Sequence, residues 1–125
     1  DFWMPFAPSI IAEKQDDYIE NAKRIKAPYM VMGFNTKRQA RKELASAIHP
    51  YDFTARPQLL EEEHNPSYYS LIKNFEKQTG ISALLNTSFN LHGYPIVCTP
   101  IDAINTLKNS GLRHLAIGNF LISKK

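Results

Sequence analysis

Leu84-Leu85-Asn86-Thr87-Ser88-Phe89-Asn90-Leu91-His92-Gly93-Tyr94-Pro95-Ile96-Val97 opens as an apolar run and closes in small polar residues, a glycine and a proline. Cys98-Thr99-Pro100 then leads into a helical pattern. This is the profile of a buried strand that delivers short hydroxyls and amides to a loop. Thr87, Ser88 and Asn90 at a strand end can hold an anion or a nucleotide. The same residues can instead form an Asx or Ser turn that satisfies only its own backbone, and composition alone favours that turn.

Working outward, Asn65-Pro66 opens the clearest helix upstream. Tyr68, Tyr69, Leu71, Ile72 and Phe75 give it a 3.6-residue apolar stripe, and Thr79-Gly80 closes it. Ile81 to Asn86 is then a strand, and Tyr94 to Val97 returns as a short strand. Downstream, Thr99 is an N-cap with Pro100 at the first helical position and Asp102 in the first turn. Ile101, Ala103, Ile104 and Leu107 form that helix's apolar face. His114 to Ile117 and Asn119 to Ile122 make a closing hairpin around Gly118-Asn119. Toward the start, Ser9 to Ala12, Tyr29 to Met32, Ala45 to His49 and Thr54 to Leu60 read as extended. Glu13 to Asn21 and Lys37 to Leu44 read as short helices, the second a solvated helix or a loop. The mixture predicts an α/β (mixed α+β) fold, with a sheet covered on one side.

The chain has 125 residues, which predicts one domain over 1–125. No apolar run is long enough to cross a bilayer, and no signal peptide is visible at Asp1 to Phe6. Cys98 is the single cysteine, so an internal disulfide is excluded, and the expectation is a small buried residue in a reducing, cytoplasmic setting. The net charge of +3 is mild. Its cations gather at Lys23, Arg24, Lys26, Lys37, Arg38, Arg41 and Lys42, with no acid among them. Such a segment attracts phosphate or forms a solvated face.

Metal spacings, a P-loop, a dinucleotide fingerprint and a Gly-x-Ser-x-Gly elbow are all absent from the sequence. Two extended stretches remain, one offering Thr54 and Arg56, the other Thr87, Ser88 and Asn90. Arg56 sits between Ala55 and Pro57, and a guanidinium on a fixed backbone suits bidentate phosphate binding. The alternative is a surface arginine paired with an acid such as Glu61.

Several stretches taken together resemble the C-terminal region of the O-carbamoyltransferase family of nodulation-factor and antibiotic carbamoyltransferases. They are Pro5-Phe6-Ala7-Pro8-Ser9, Thr54-Ala55-Arg56-Pro57-Gln58, Asn86-Thr87-Ser88-Phe89-Asn90 with Gly93, Pro95-Ile96-Val97-Cys98-Thr99-Pro100, and Gly118-Asn119-Phe120-Leu121. Asn65 to Tyr69 and Thr79-Gly80 also fit. The resemblance implies a YrdC-like domain, a twisted mixed sheet with a concave basic face and a few covering helices, truncated at its N-terminus. Thr87-Ser88-Phe89-Asn90 is similar to the Thr-Ser-x-Asn signature of YrdC proteins.

By that resemblance the domain joins carbamoyl phosphate to ATP, with no water entering, and forms carbamoyl-adenylate. A separate actin-like ATPase-fold domain, which also holds the family's metal, then passes the carbamoyl group to an acceptor hydroxyl. Arg56 would clamp phosphate or the carbamoyl oxygen, and Ser88 and Asn90 would hydrogen-bond the nucleotide phosphates, with Thr54 and Thr87 as supporting donors. Arg56 and Ser88 are thus the expected catalytic pair. No metal ligand is expected in this chain; magnesium is expected with ATP, and no covalent cofactor. A homodimer is an expected assembly, and neither nucleic acid nor membrane is an expected partner. The alternative is a non-catalytic RNA- or nucleotide-binding YrdC-like module using Lys23 to Lys42. The chain departs from the family pattern at Met4, where an arginine is usual, at Phe53 and Tyr94, which replace Gly and Glu, and in lacking an upstream Lys-x-Arg.

Overall fold

The computed structural model describes residues 6–125, so Met4 and Pro5 lie outside the described residues. The chain divides into two compact units, one ending at Thr87 and one running from Ser88 to Lys125. Helices and strands alternate, giving a mixed α/β fold, with no closed barrel among the described residues.

The first unit is built on a three-stranded sheet. β1 (Ala7–Ile11) lies at its centre. β2 (Phe34–Asn35) and β3 (Thr54–Ala55) form a separate antiparallel ribbon. β4 (Gln58–Leu60) pairs with β1 in parallel, placing Ser9 opposite Gln58. β5 (Ala83–Asn86) pairs antiparallel on the other side, placing Ala7 opposite Asn86 and Ser9 opposite Leu84. Side chains alternate across a strand, so Ile10, Leu59 and Ala83 share one face, and Ser9, Ile11, Gln58, Leu60 and Leu84 share the other.

Both faces are covered, where the sequence predicted one. Ile10, Leu59 and Ala83 pack with Tyr18, Ile19, Phe34, Ala40, Leu44 and Ile48. These come from α1 (Gln15–Tyr18), α2 (Arg38–Glu43) and the segments around them. On the opposite face Ile11 and Leu60 pack with Ile72, Tyr68 and Tyr69 of α3 (Pro66–Thr79). The missed layer is the Glu13 to Leu44 region. It has little periodicity, and its buried residues are supplied singly by turns. Tyr18 shows how: its fully buried hydroxyl donates to Glu43 Oε2 at 3.2 Å and accepts the Ser82 N–H at 3.0 Å. Burial pushes its phenol above the ordinary range.

The long helix forms as its sequence dictates. Asn65 Oδ1 accepts the Tyr68 N–H at 3.1 Å, Pro66 occupies the first turn, and Gly80 ends it at φ +79°. In this unit two extended readings fail. Tyr29 to Met32 is an exposed turn with Met30 at φ +57°, and the strand lies at Phe34–Asn35 instead. Ala45–Ala47 is a 3-10 turn rather than a strand, continuing directly from α2.

In the second unit, α4 (Pro100–Asn109) starts on a capping box. The Thr99 hydroxyl accepts the Asp102 N–H at 3.2 Å, and Asp102 accepts the Thr99 N–H at 2.9 Å. Ala103 and Leu107 pack on Leu115, while Ile101 lies outside the core at 69% exposure. β6 (His114–Ile117) and β7 (Phe120–Ser123) form the expected hairpin. Tyr94 to Val97 is not a strand. Pro95 removes a donor, and Tyr94 instead returns its N–H to the Leu91 carbonyl at 2.9 Å.

Candidate functional site

The sheet of the first unit turns polar at one end. On the face that carries Ile11 and Leu60 under α3, the next residues back along β1 and β4 are Ser9 and Gln58. Ser9 is fully buried. Its hydroxyl donates to Gln58 Oε1 at 2.9 Å. Asn86, the last residue of β5, donates from Nδ2 to Ser9 Oγ at 3.0 Å and to Gln58 Oε1 at 3.1 Å. Three strands thus contribute one polar side chain each to a closed set of hydrogen bonds. These residues stand in three of the quoted motifs, yet sequence reasoning assigned them no role. The available signal was a polar residue in each of three otherwise apolar strands.

Two residues before Gln58 stands Arg56, between the buried Ala55 and the fully buried Pro57. Its side chain is exposed and takes no hydrogen bond or ion pair from the described residues, so the alternative, a pairing with Glu61, is not formed. Glu61 is held by Lys26 at 3.0 Å instead. That contact lowers the Glu61 carboxyl and raises the Lys26 ammonium.

Thr54 is less free than expected. Asp52 Oδ1 accepts both its N–H at 2.9 Å and its hydroxyl at 2.8 Å. These two bonds, the backbone one foremost, hold the Asp52 carboxyl below its usual range. Between them Phe53 sits at φ +58°, a conformation that favours glycine. Its N–H donates to the His49 carbonyl at 3.0 Å, and further contacts hold it. Its carbonyl accepts the Thr36 hydroxyl at 2.6 Å, and its ring lies 4.5 Å under the Arg41 guanidinium.

Thr87 is exposed and ends the first unit. Ser88 and Asn90 open the second, and the structure brings these two together. Ser88 Oγ donates to Asn90 Oδ1 at 2.5 Å. Asn90 Nδ2 donates to the carbonyls of Leu91 at 3.0 Å and Tyr94 at 2.9 Å. The loop is therefore wired as an Asx-type turn, with its side-chain donors engaged internally.

The second unit also has an open cleft of about 730 Å³, lined by residues including Tyr94, Ile96, Cys98, Asp102, Asn105 and Asn109. Cys98 is exposed, against expectation, because its N–H is drawn to the capping carboxylate of Asp102 at 3.3 Å.

The basic segment is largely occupied. Arg24 pairs with Asp16 at 2.6 Å, Lys26 with Glu61, Lys37 donates to the Asp16 carbonyl, and Arg41 donates to the Thr36 carbonyl at 3.1 Å. Among the described residues, Glu61, Glu63 and His64 bring three ligand atoms within 4.8 Å of one another. The group lies largely at the surface, and the Lys26 pair already claims Glu61. Among the described residues, no helix is long and apolar enough to cross a membrane.

A model of the carbamoyltransferase C-terminus matches residues 1–124. An uncharacterised protein of Methanocaldococcus jannaschii is 43% identical over 98% of this chain and 23% of its own length. The nodulation protein NolNO of Sinorhizobium fredii is 36% identical over 98% of this chain and 18% of its own. A 3'-hydroxymethylcephem-O-carbamoyltransferase of Amycolatopsis lactamdurans is 27% identical over 58% of this chain and 14% of its own. The chain spans about a fifth of the length of the curated relatives it matches.

Proposed function

This chain belongs to the carbamoyltransferase C-terminal family, and on that premise we propose that it serves an O-carbamoyltransferase, forming carbamoyl-adenylate from carbamoyl phosphate and ATP. One observation carries the reading. Motifs from three distant parts of the chain supply the Ser9–Gln58–Asn86 set at one sheet end, and Arg56 stands two residues away along the chain with its guanidinium unpaired. A charge-assisted, bidentate donor on a backbone fixed by a buried proline suits a phosphate or carboxylate oxygen.

Atom balance corrects one expectation. Forming carbamoyl-adenylate, pyrophosphate and phosphate from these two substrates consumes one water. Water splits carbamoyl phosphate into carbamate and phosphate. A carbamate oxygen then attacks the α-phosphorus of ATP, and pyrophosphate leaves. The chain's own part is to neutralise charge and align the two reactants, with no covalent nucleophile. Arg56 holds the carbamoyl phosphate oxygens. Ser88 and Asn90 serve the nucleotide phosphates by exchanging their hydrogen bonds within the turn for bonds to the ligand. Thr87 supports them with its exposed hydroxyl. Thr54, whose proton goes to Asp52, supports through its oxygen. Magnesium accompanies ATP as the counterion of its phosphates. Transfer to the acceptor hydroxyl falls to an actin-like ATPase-fold partner domain, in a cytoplasmic protein able to pair as a homodimer.

Calorimetry on the full-length protein tests the site. Arg56→Ala should weaken carbamoyl phosphate binding by roughly 1.5–3 kcal/mol, the value of a charge-assisted contact. Ser88→Ala should weaken ATP. Unchanged affinities in both variants would sink the assignment.

A further inference from the structure

We infer that Gln58 and Asn86, locked together by Ser9, form a reader for the carbamoyl group itself, a role that rests on the function proposed above. The bookkeeping of their polar atoms leads there. Gln58 Oε1 accepts from Ser9 and Asn86, and Asn86 Nδ2 donates to Ser9 and Gln58. Gln58 Nε2 and Asn86 Oδ1 are left over. Every buried side-chain nitrogen or oxygen among the described residues has a partner, so these two atoms, which have none, reach solvent. The set therefore offers one amide donor and one amide acceptor outward. Rotating both amides by 180° preserves the internal bonds and again exposes one donor and one acceptor.

The complement of that pair is a group with a carbonyl oxygen and an NH₂ on the same carbon, which is a carbamoyl group. Gln58 Nε2 donates to its oxygen, and Asn86 Oδ1 accepts from its nitrogen. Because Ser9 is fully buried and both amides stand on paired strands, the geometry is fixed before the ligand arrives. Such a site rejects an isostere that lacks the NH₂, since Asn86 Oδ1 would then be desolvated without a donor.

Acetyl phosphate is that isostere, with a methyl in place of the NH₂ and the phosphate and carbonyl retained. Full-length protein should bind carbamoyl phosphate at least about tenfold more tightly than acetyl phosphate, the worth of roughly one hydrogen bond to an otherwise unpaired acceptor. Asn86→Ala should bring the two affinities within about twofold, with ATP affinity unchanged; the variant leaves Ser9 still bonded to Gln58. Equal binding of the two phosphates by the wild type would overturn the assignment without any variant. So would loss of ATP affinity alone in Asn86→Ala, which would mark a reader of the adenine edge. A lowered melting temperature with the ratio intact would mark a purely structural network and overturn it as well. Failure of the underlying function looks different, because the wild type would then bind neither phosphate.

Discussion

Two serine–asparagine pairs in this chain do opposite things. Ser88 and Asn90 are two residues apart, and their donors turn inward to close the loop that carries them. Ser9 and Asn86 are 77 residues apart, and their contact, shared with Gln58, leaves an amide donor and an amide acceptor facing solvent. The first pair is a local conformational device, and its bonds must exchange before it can bind anything. The second is a platform locked by its own hydrogen bonds, with one amide donor and one amide acceptor to spare. The lesson is that a short polar motif tells less about availability than the partners its atoms already hold.

Removing each pair separates the two roles. Ser9→Ala should cost about 1–3 kcal/mol of stability by chemical denaturation, because both hydrogen bonds of the buried Ser9 hydroxyl, to Gln58 and from Asn86, are lost. A change below a few tenths would show the platform to be loose. Asn90→Ala should cost about 1 kcal/mol, since two carbonyls of the Leu91 to Tyr94 turn lose a shared donor. Ser88→Ala, at an exposed position, should stay within about 0.5 kcal/mol. A larger loss there than at Ser9 would reverse the comparison.

The smallest effect is one of pH. The Asp102 carboxyl is held below its ordinary 3.8, first by the Thr99 hydroxyl and then by the Thr99 and Cys98 N–H groups. Its folded value is depressed, so its contribution is fully present above 3.8 and is lost as pH falls through the lowered value. Amide exchange at Thr99 and Asp102 should accelerate only below pH 3.8, and Asp102→Asn should remove that dependence.

What was legible in the sequence was what is local. Pro66, Gly80, Thr99 and Asp102 act within a turn of where they stand, and both long helices lie where those residues place them. The hairpin β6–β7 was equally plain. The Tyr29 to Met32 strand failed because a β-branched and aromatic run says nothing about a partner strand, and Met30 adopts a left-handed turn. The second layer over the sheet was hidden because Tyr18, Ala40 and Leu44 reach one core from separate short segments. Of the candidate site, Arg56 was legible from its rigid flanks. The Ser9–Gln58–Asn86 set was not, because strand register alone makes those three residues meet.

The proposed chemistry is tested most directly by isotope exchange between labelled pyrophosphate and ATP in the full-length protein, without any acceptor. Exchange that requires carbamoyl phosphate, and that Arg56→Ala suppresses, is the predicted result. Exchange indifferent to carbamoyl phosphate, or release of ADP in its place, would contradict the formation of carbamoyl-adenylate.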